Sequence, residues 1–535
     1  MIPDPKPRGD SYGSVSRDLG QPQRVAVSRR GIIATQHWLA SAAGARMLAE
    51  GGTAVDAAVA AALALGVVEP AASGLGGQTM LTIHVPGQRT VALDGSSRAP
   101  HRTPPSELGK TERLRGHRAA TVPSTPAVLG YVAEKFGSLP WAKLVQPAIE
   151  LATEGYEVTE LQHRLTSREL KHLRNGTAAP LFLRDGRQPH KVGSRLRQPA
   201  LARTLTRLAE RGFEDFYLGE IAHEIHADMQ EHGGLIQLDD LAQIPRPVER
   251  RPIGATFGGM RVFTFPPAGA GRTLLYILKL LEQFDARQRQ LDTPEGAVVF
   301  AEVIRRANLD RRDRPFDPSY YPQIQDRRLL SDDYAKMVAR QIRSRVRSTG
   351  ETTHLSVMDE AGNAVALTQS IERVYGSFAA SPTLGFLYNN YMSAFEHEDI
   401  SHPYFLRPNA APWASVAPTV VMRGRRPWLA LGSPGSERIV SAVAQVLLRL
   451  IDGQNLMDAI TAPRLHCSLS GEVTLEASRM RTDIPRALQR SGFTIREVEP
   501  FSFYLGCVQA VARERRKIVG VADLRRDGAA AGPDA

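Results

Sequence analysis

One hairpin deep inside the chain constrains the fold more than any other stretch. It begins Glu351-Thr352-Thr353-His354-Leu355-Ser356-Val357, passes Asp359 and the turn Gly362-Asn363, and returns through Ala364-Val365-Ala366-Leu367-Thr368-Gln369-Ser370. β-Branched and apolar residues on both sides of a Gly-Asn turn are the pattern of paired strands. A threonine heads the first run and a serine ends the second, so antiparallel pairing would let Ser370 face Thr352. A threonine hydroxyl is a weak nucleophile without a neighbouring base. One solution is a threonine that has become an N-terminus, whose own α-amine takes the proton. Thr352 reaches that state only if the chain breaks after Glu351. The hairpin therefore poses the question of a precursor that cuts itself, against the plainer reading of two ordinary strand residues.

Bulk properties agree with an enzyme. The chain has 535 residues, enough for one large domain or several, and 42% hydrophobic with 23% charged residues is a globular composition. Cys467 and Cys507 are its only cysteines, which excludes a disulfide framework and predicts buried apolar thiols. The net charge of +11 comes mainly from scattered arginines. No basic run is interleaved with aromatics, so a solvated basic surface is expected rather than a nucleic-acid partner. The first 25 residues are polar, lack an apolar stretch of the signal-peptide kind and read as a flexible leader. The apolar run Ala57 to Val68 is too short to span a bilayer. A cytoplasmic protein with no membrane partner is expected.

Organisation along the chain is legible in places. Gln36 to Leu65 reads as helix broken by Gly51-Gly52, with Thr53 capping the second part. Ser73-Gly74-Leu75-Gly76-Gly77 is a loop where backbone must approach something closely. Met80–His84 and Val91–Leu93 read as paired strands, Met260–Phe265 as a strand within a mainly helical stretch, and Ile439–Ile451 as a helix. Met337 to Gly350 is basic and polar, a mobile linker ending just before Thr352. The tail Arg525 to Ala535 is expected to be disordered. Two tempting motifs fail: Gly269-Ala270-Gly271-Arg272-Thr273 lacks the lysine and first glycine of a phosphate loop. His397 and His402 are five apart before a proline, so a loop is expected there rather than a metal site. No cofactor or metal is expected.

A Thr352 nucleophile would need consecutive backbone N–H groups for an oxyanion, which Leu431-Gly432-Ser433-Pro434-Gly435-Ser436 offers just before a helix. It would also need a hydroxyl or amide to orient the amine, for which Ser370 is placed.

The ordered set of motifs resembles the γ-glutamyltranspeptidase family. It comprises Gly31-Ile32-Ile33-Ala34, Glu50-Gly51-Gly52-Thr53-Ala54-Val55-Asp56-Ala57-Ala58, Ser73-Gly74-Leu75-Gly76-Gly77 and Leu93-Asp94-Gly95. Phe136-Gly137-Ser138-Leu139-Pro140-Trp141, Gly233-Gly234-Leu235 and Asp239-Asp240-Leu241 follow. The last are Thr352-Thr353-His354, Gly362-Asn363-Ala364-Val365, Asn389-Asn390 and Leu431-Gly432-Ser433-Pro434-Gly435. The resemblance implies an α/β (α+β) fold, the four-layer αββα sandwich of N-terminal nucleophile (Ntn) hydrolases. It implies cleavage between Glu351 and Thr352 into a large subunit (26–351 after the leader) and a small one (352–535), intertwined as one domain. It implies an acyl-enzyme on Thr352 formed from a small-molecule acyl donor and resolved by water or an amine. By the same resemblance Ser370 stands where the family usually has threonine, Glu372 where asparagine is common, and Gly435-Ser436 where the oxyanion turn usually reads Gly-Gly.

The substrate clamp departs from the family. Ser96 stands in place of the arginine that holds the donor α-carboxylate, and Ala394 in place of the aspartate that binds its α-amine. Ala414-Ser415 replaces a Ser-Ser pair, and Ala411 an arginine. A zwitterion without charged partners would be desolvated without compensation. Arg98, two residues past Ser96, either replaces the lost arginine or simply faces solvent. Only 12 residues separate Phe395 from Pro408, shorter than in lidded members. A more open pocket, lined by Tyr391 and Trp413, is expected. The reading is a self-processing threonine amidohydrolase or acyltransferase acting on a donor other than γ-glutamyl, including amide or C–C cleavage of an oxalyl-type group. The alternatives are an ordinary glutathione hydrolase with a rebuilt clamp and a non-catalytic, unprocessed binding protein.

Overall fold

The computed structural model describes residues 23–104, 108–313, 331, 333, 335–336 and 352–533. Two seven-stranded antiparallel sheets form its centre. One runs in the order Val25–Ser28, Lys517–Ala522, Gln509–Glu514, Arg426–Gly432, Thr419–Arg423, Met260–Thr264, Ile253–Phe257. The other runs Ala529–Ala531, Gly31–Thr35, Thr353–Asp359, Ala364–Ser370, Gln78–His84, Val91–Gly95, Val248–Arg250. Both sheets combine strands from before and after Glu351, so a break at that bond would not separate two bodies.

Period-two side-chain alternation explains the layers. Ile32, Ala34, Met358, Ala364, Ala366, Val420, Ala430 and Val511 form the seam between the sheets. Their neighbours Ile33, Leu355, Val357, Val365 and Leu367 point the other way, into a cluster built on helices Trp38–Ala49, Ala54–Val68 and Thr125–Phe136. On the opposite flank Val262, Val421, Leu429 and Leu431 pack under helices Gly271–Leu281 and Arg438–Ile451. The result is the expected αββα sandwich. Among the described residues no helix is long and apolar enough to cross a membrane.

Local expectations hold where short-range chemistry decides. Thr53 caps Ala54–Val68 in a reciprocal box with Asp56, an arrangement worth about 1 kcal/mol. Both cysteines are buried. His397 Nε2 bonds the Met392 carbonyl at 2.8 Å and His402 Nδ1 accepts from Tyr404 N at 3.1 Å, so the two histidines brace a loop. The expected linker Met337–Gly350 and Glu351 lie outside the described residues.

The termini correct the sequence reading. Gln23 pairs with Ala530, and Val25 begins a strand, so the leader as drawn to residue 25 runs too far. The tail is not disordered through its described length. Ala529–Ala531 pairs with Gly31–Thr35. The Arg525 guanidinium is fully buried between Glu476, at 2.7 Å, and Asp523, at 3.0 Å. A short arginine- and glycine-rich tail looks solvated because Glu476 and Glu69, which complete its ion pairs, are remote in sequence.

Candidate active site

The nucleophile candidate sits where the sandwich is most constrained. The pairing Thr353↔Gln369, continued by one residue, sets Thr352 across from Ser370. Alternation then places Thr352 and Ser370 on the inter-sheet face, with His354, Ser356 and Thr368. Thr352 is buried, 5% exposed. Ser370 in turn pairs with Gln78 on the next strand. Gly77 must be glycine here, since a Cβ would lie 2.4 Å from the Ser370 carbonyl oxygen. The glycine loop expected to approach something closely therefore approaches the strand that carries Ser370.

His354 is the nearest histidine in sequence, but its ring is fully engaged. Nδ1 bonds Thr368 Oγ1 at 2.8 Å, and Nε2 bonds Ser356 Oγ at 3.0 Å. Burial drives its pKa down to about 3, so the ring is neutral. It serves packing between the sheets: a Cβ on Gly432 would fall 2.3 Å from its Cε1. That close approach brings the end of strand Arg426–Gly432 over the hairpin and delivers the turn beyond it. Ser433 Oγ accepts from Cys507 N at 2.9 Å and bonds the Pro434 carbonyl, bracing the turn. Gly435 has φ 114° and Ser436 φ 53°, so a non-glycine residue occupies the left-handed region there.

Three residues around Thr353, namely Gln36, Glu69 and Arg526, were not expected from the sequence to act together. Thr353 points away from the active face, and its hydroxyl shares its one proton between Glu69 Oε2 at 2.5 Å and Gln36 Oε1 at 2.9 Å. Arg526 Nη1 bonds the same Gln36 oxygen at 2.9 Å and Glu69 Oε1 at 3.0 Å. Burial raises the Glu69 carboxyl against the pull of Arg526. A three-part polar lock thus holds the backbone immediately after Thr352. Only Glu69, a carboxylate at the end of an otherwise apolar helix, carried any signal of it.

The remaining candidates divide. Glu372 has φ 75°, its N–H donates to Ser370 Oγ at 2.8 Å, and burial pushes its carboxyl up to about 7. Tyr391 is buried, with its hydroxyl facing Ser370 and Gln78, and burial raises it. Gln78 Oε1 accepts from Ser97 N at 2.8 Å, and Thr121 Oγ1 donates to Ser97 Oγ at 2.8 Å. These groups form one polar chain with the hairpin. At the clamp, Ser96 Oγ donates to Asp94 Oδ1 at 2.6 Å, and Arg250 Nε bonds the other Asp94 oxygen at 2.7 Å. Ala414 packs with Met80, Ala92, Phe265 and Val416, and Ala411 is buried. Ser415 and Ala394 are half-buried, and Trp413 stacks edge-on against Tyr404 at 5.5 Å. Arg98 lines a separate cavity whose walls include neither Thr352 nor Ser370.

His117, Asp228 and His232 have metal-ligand proximity. They are closed on one another instead. Asp228 Oδ2 accepts from Tyr388 at 2.9 Å and meets His117 Nε2 at 3.0 Å, while the two imidazoles stack at 4.4 Å. Parallel stacked rings do not aim two nitrogens at one ion.

A threonine heading an inner strand of an αββα sandwich, with a serine across from it on the neighbouring strand, is the layout of an Ntn hydrolase. The sequence pattern of the gamma-glutamyltranspeptidase family matches residues 40–533. The chain is 34% identical to a glutathione hydrolase proenzyme of Escherichia coli (strain K12), over 85% of this chain and 83% of that protein. It is 31% identical to an acylase ACY 1 proenzyme of Pseudomonas sp. (strain V22), over 83% of each. Among solved structures it resembles a cephalosporin acylase from Bacillus halodurans, with TM-score 0.88, 29% identity and full coverage of both chains. The chain belongs to the γ-glutamyltranspeptidase family, and it is an enzyme of that hydrolase and acyltransferase class.

Proposed function

We propose that the chain is a precursor that cleaves itself between Glu351 and Thr352, and that the freed Thr352 then acylates itself from a donor other than a γ-glutamyl compound. The observation that carries this reading is the contrast at one end of the inner sheet. Ser370 lies across the hairpin from Thr352, and Gly432 packs on His354 just before the Gly435-Ser436 turn, which supports a Thr352 nucleophile with that turn as its oxyanion site. Ser96, Ala394, Ala411 and Ala414 offer a γ-glutamyl zwitterion no charge. Ser96 is moreover occupied by Asp94, whose other oxygen is neutralised by Arg250.

Chemically, the Thr352 α-amine accepts the hydroxyl proton as Oγ1 attacks the donor carbonyl. The Gly435 and Ser436 N–H groups receive the developing oxyanion, and Ser370 orients the nucleophile. The protonated amine then returns its proton to the leaving group. Water or an amine repeats the sequence on the acyl-enzyme. His354 takes no part, since both its nitrogens are bonded. The likeness to an acylase proenzyme and to a cephalosporin acylase supports an acyl donor other than a γ-glutamyl compound.

Denaturing gels and a donor panel test this. Wild type should give two bands of about two-thirds and one-third of the mass by chain fraction, and Thr352→Ala one band. Processed protein should turn over glutaryl or oxamoyl amides faster than glutathione, with the trapped acyl group on Thr352 by mass spectrometry. A single persistent band in wild type defeats the processing claim. Faster turnover of glutathione defeats the specificity claim.

A further inference from the structure

The cavity lined by Arg98 has no part in the chemistry described so far. Its volume is about 620 Å³, within the range of small-molecule sites. Its walls include Arg98, Ala99, His101, Asp240, Ile244 and Arg246.

The walls are preformed. Val122 N bonds the Arg98 carbonyl at 2.8 Å, Ala99 N bonds the Ala410 carbonyl at 3.0 Å, and Asn409 N returns to the Ala99 carbonyl at 3.0 Å. Across the cavity, Ile244 is half-buried against the helix-side core and has φ 25°. A β-branched residue at positive φ is strained and persists only where its surroundings over-determine it. The Arg246 N–H closes that turn on the Ile244 carbonyl at 2.6 Å. The strained turn thus places Arg246 at the cavity.

The charge balance of the walls is positive. Among the described lining residues Asp240 is the one carboxylate, and it is already used. Oδ1 accepts from both His101 N and Nδ1 at 2.7 Å, and Oδ2 accepts from Gln237 N at 2.9 Å. Among the described residues no carboxylate or hydrogen-bond acceptor meets the Arg246 guanidinium. We propose that this cavity is an anion-binding site that takes the carboxylate of a small molecule between Arg98 and Arg246.

Geometry separates it from the acyl pocket. Thr352, Ser370, Gln78 and Ser96 lie at one end of four adjacent strands, so three spacings of about 4.8 Å put the Ser96 backbone about 14 Å from Thr352. A five-carbon acyl chain is about 6 Å long at ordinary bond lengths. An arginine at position 96 could bridge the remainder, but Arg98 stands two residues further on. The bound carboxylate therefore belongs to a group well beyond the acyl carbons: the distal end of a long substrate, or a separate anionic molecule.

The proposal rests on the geometry of the intact chain and not on self-cleavage, so its test uses intact protein. Glutarate is titrated calorimetrically into the uncleaved Thr352→Ala chain, with glutaramide as the neutral control. Glutarate should bind and glutaramide should not, and Arg246→Glu, a surface change that spares the fold, should weaken glutarate by about tenfold or more. Absence of glutarate binding, or binding indifferent to Arg246→Glu, overturns the site. With processed wild type, competitive inhibition by glutarate assigns the site to the substrate's distal end, and a non-competitive pattern assigns it to a separate anion. An inhibition pattern unchanged in Arg246→Glu again overturns it.

Discussion

The two ends of the active-site edge are built to different standards. Around Thr352 almost every polar group is held: Thr353 by Gln36 and Glu69, His354 on both nitrogens, and Ser370 by Glu372 and Tyr391. At the clamp, Ala414 packs in apolar surroundings, and Ser96, three strands away from Thr352, bonds its own neighbour Asp94. Bond-making geometry tolerates little displacement, so its supporting shell must be over-determined. A recognition pocket can lose charged groups and remain folded, because alanine in an apolar cluster leaves no unpaired atom behind. The chemistry can therefore be kept while the substrate changes.

The largest expected effect tests the rigid end. Glu69→Ala leaves Arg526 buried without its carboxylate, and breaking such a pair costs about 3–5 kcal/mol. Denaturant unfolding should show that loss, and gels should show slower appearance of the two processed bands. Glu69→Gln, which keeps a bond to Thr353, should be milder in both. If Glu69→Ala processes at the wild-type rate, the lock is purely structural and the contrast between the two ends weakens.

The next effect tests the adaptable end. Ser96→Arg with Ala394→Asp should raise γ-glutamyl anilide turnover about ten- to a hundredfold, the worth of one charge-assisted bond recovered. Ser96→Arg alone should do less, because the new guanidinium has Asp94 beside it as a competing partner. Steady-state kinetics should place the gain mainly in KM. No gain from the double variant would mean that lost charges do not explain the specificity.

A smaller effect concerns Glu372, which lies between the two ends. Its folded pKa of about 7 stands above the ordinary value of 4.5. Between those limits the folded state binds more protons than the unfolded one, so this group's contribution to stability falls as pH rises from about 4.5 to 7 and is flat above. Glu372→Gln removes that slope. Its Tm relative to wild type should therefore climb across the window, and a constant difference at all pH values would contradict the buried placement.

The smallest effect is at the oxyanion turn. Ser436→Gly relieves a left-handed serine, a strain of about 1 kcal/mol that the greater freedom of glycine in the unfolded chain partly offsets. Thermal unfolding should shift upward by no more than a few degrees, with turnover preserved. A large loss of turnover would show that the serine side chain itself takes part.

Much of this was legible in the sequence because it depends on neighbours in sequence. The Thr352 hairpin announced itself by alternation and a Gly-Asn turn, the cap at Thr53 by its spacing to Asp56, and the close approach at Gly76-Gly77 by the absence of side chains. The αββα architecture and the family came from the order of such motifs along the chain. What the sequence could not express was which distant groups share a space. Arg525 and Arg526 look like a solvated tail until Glu476, Asp523 and Glu69 are seen around them. Arg98 was placed beside Ser96 by strand alternation, yet the chain carries it to a different cavity facing a strained turn at Ile244. Local patterns are set by dihedral preference and side-chain period, which act over a few residues. Charge pairing and cavity walls are set by which strands lie side by side, and only the packed sheets decide that.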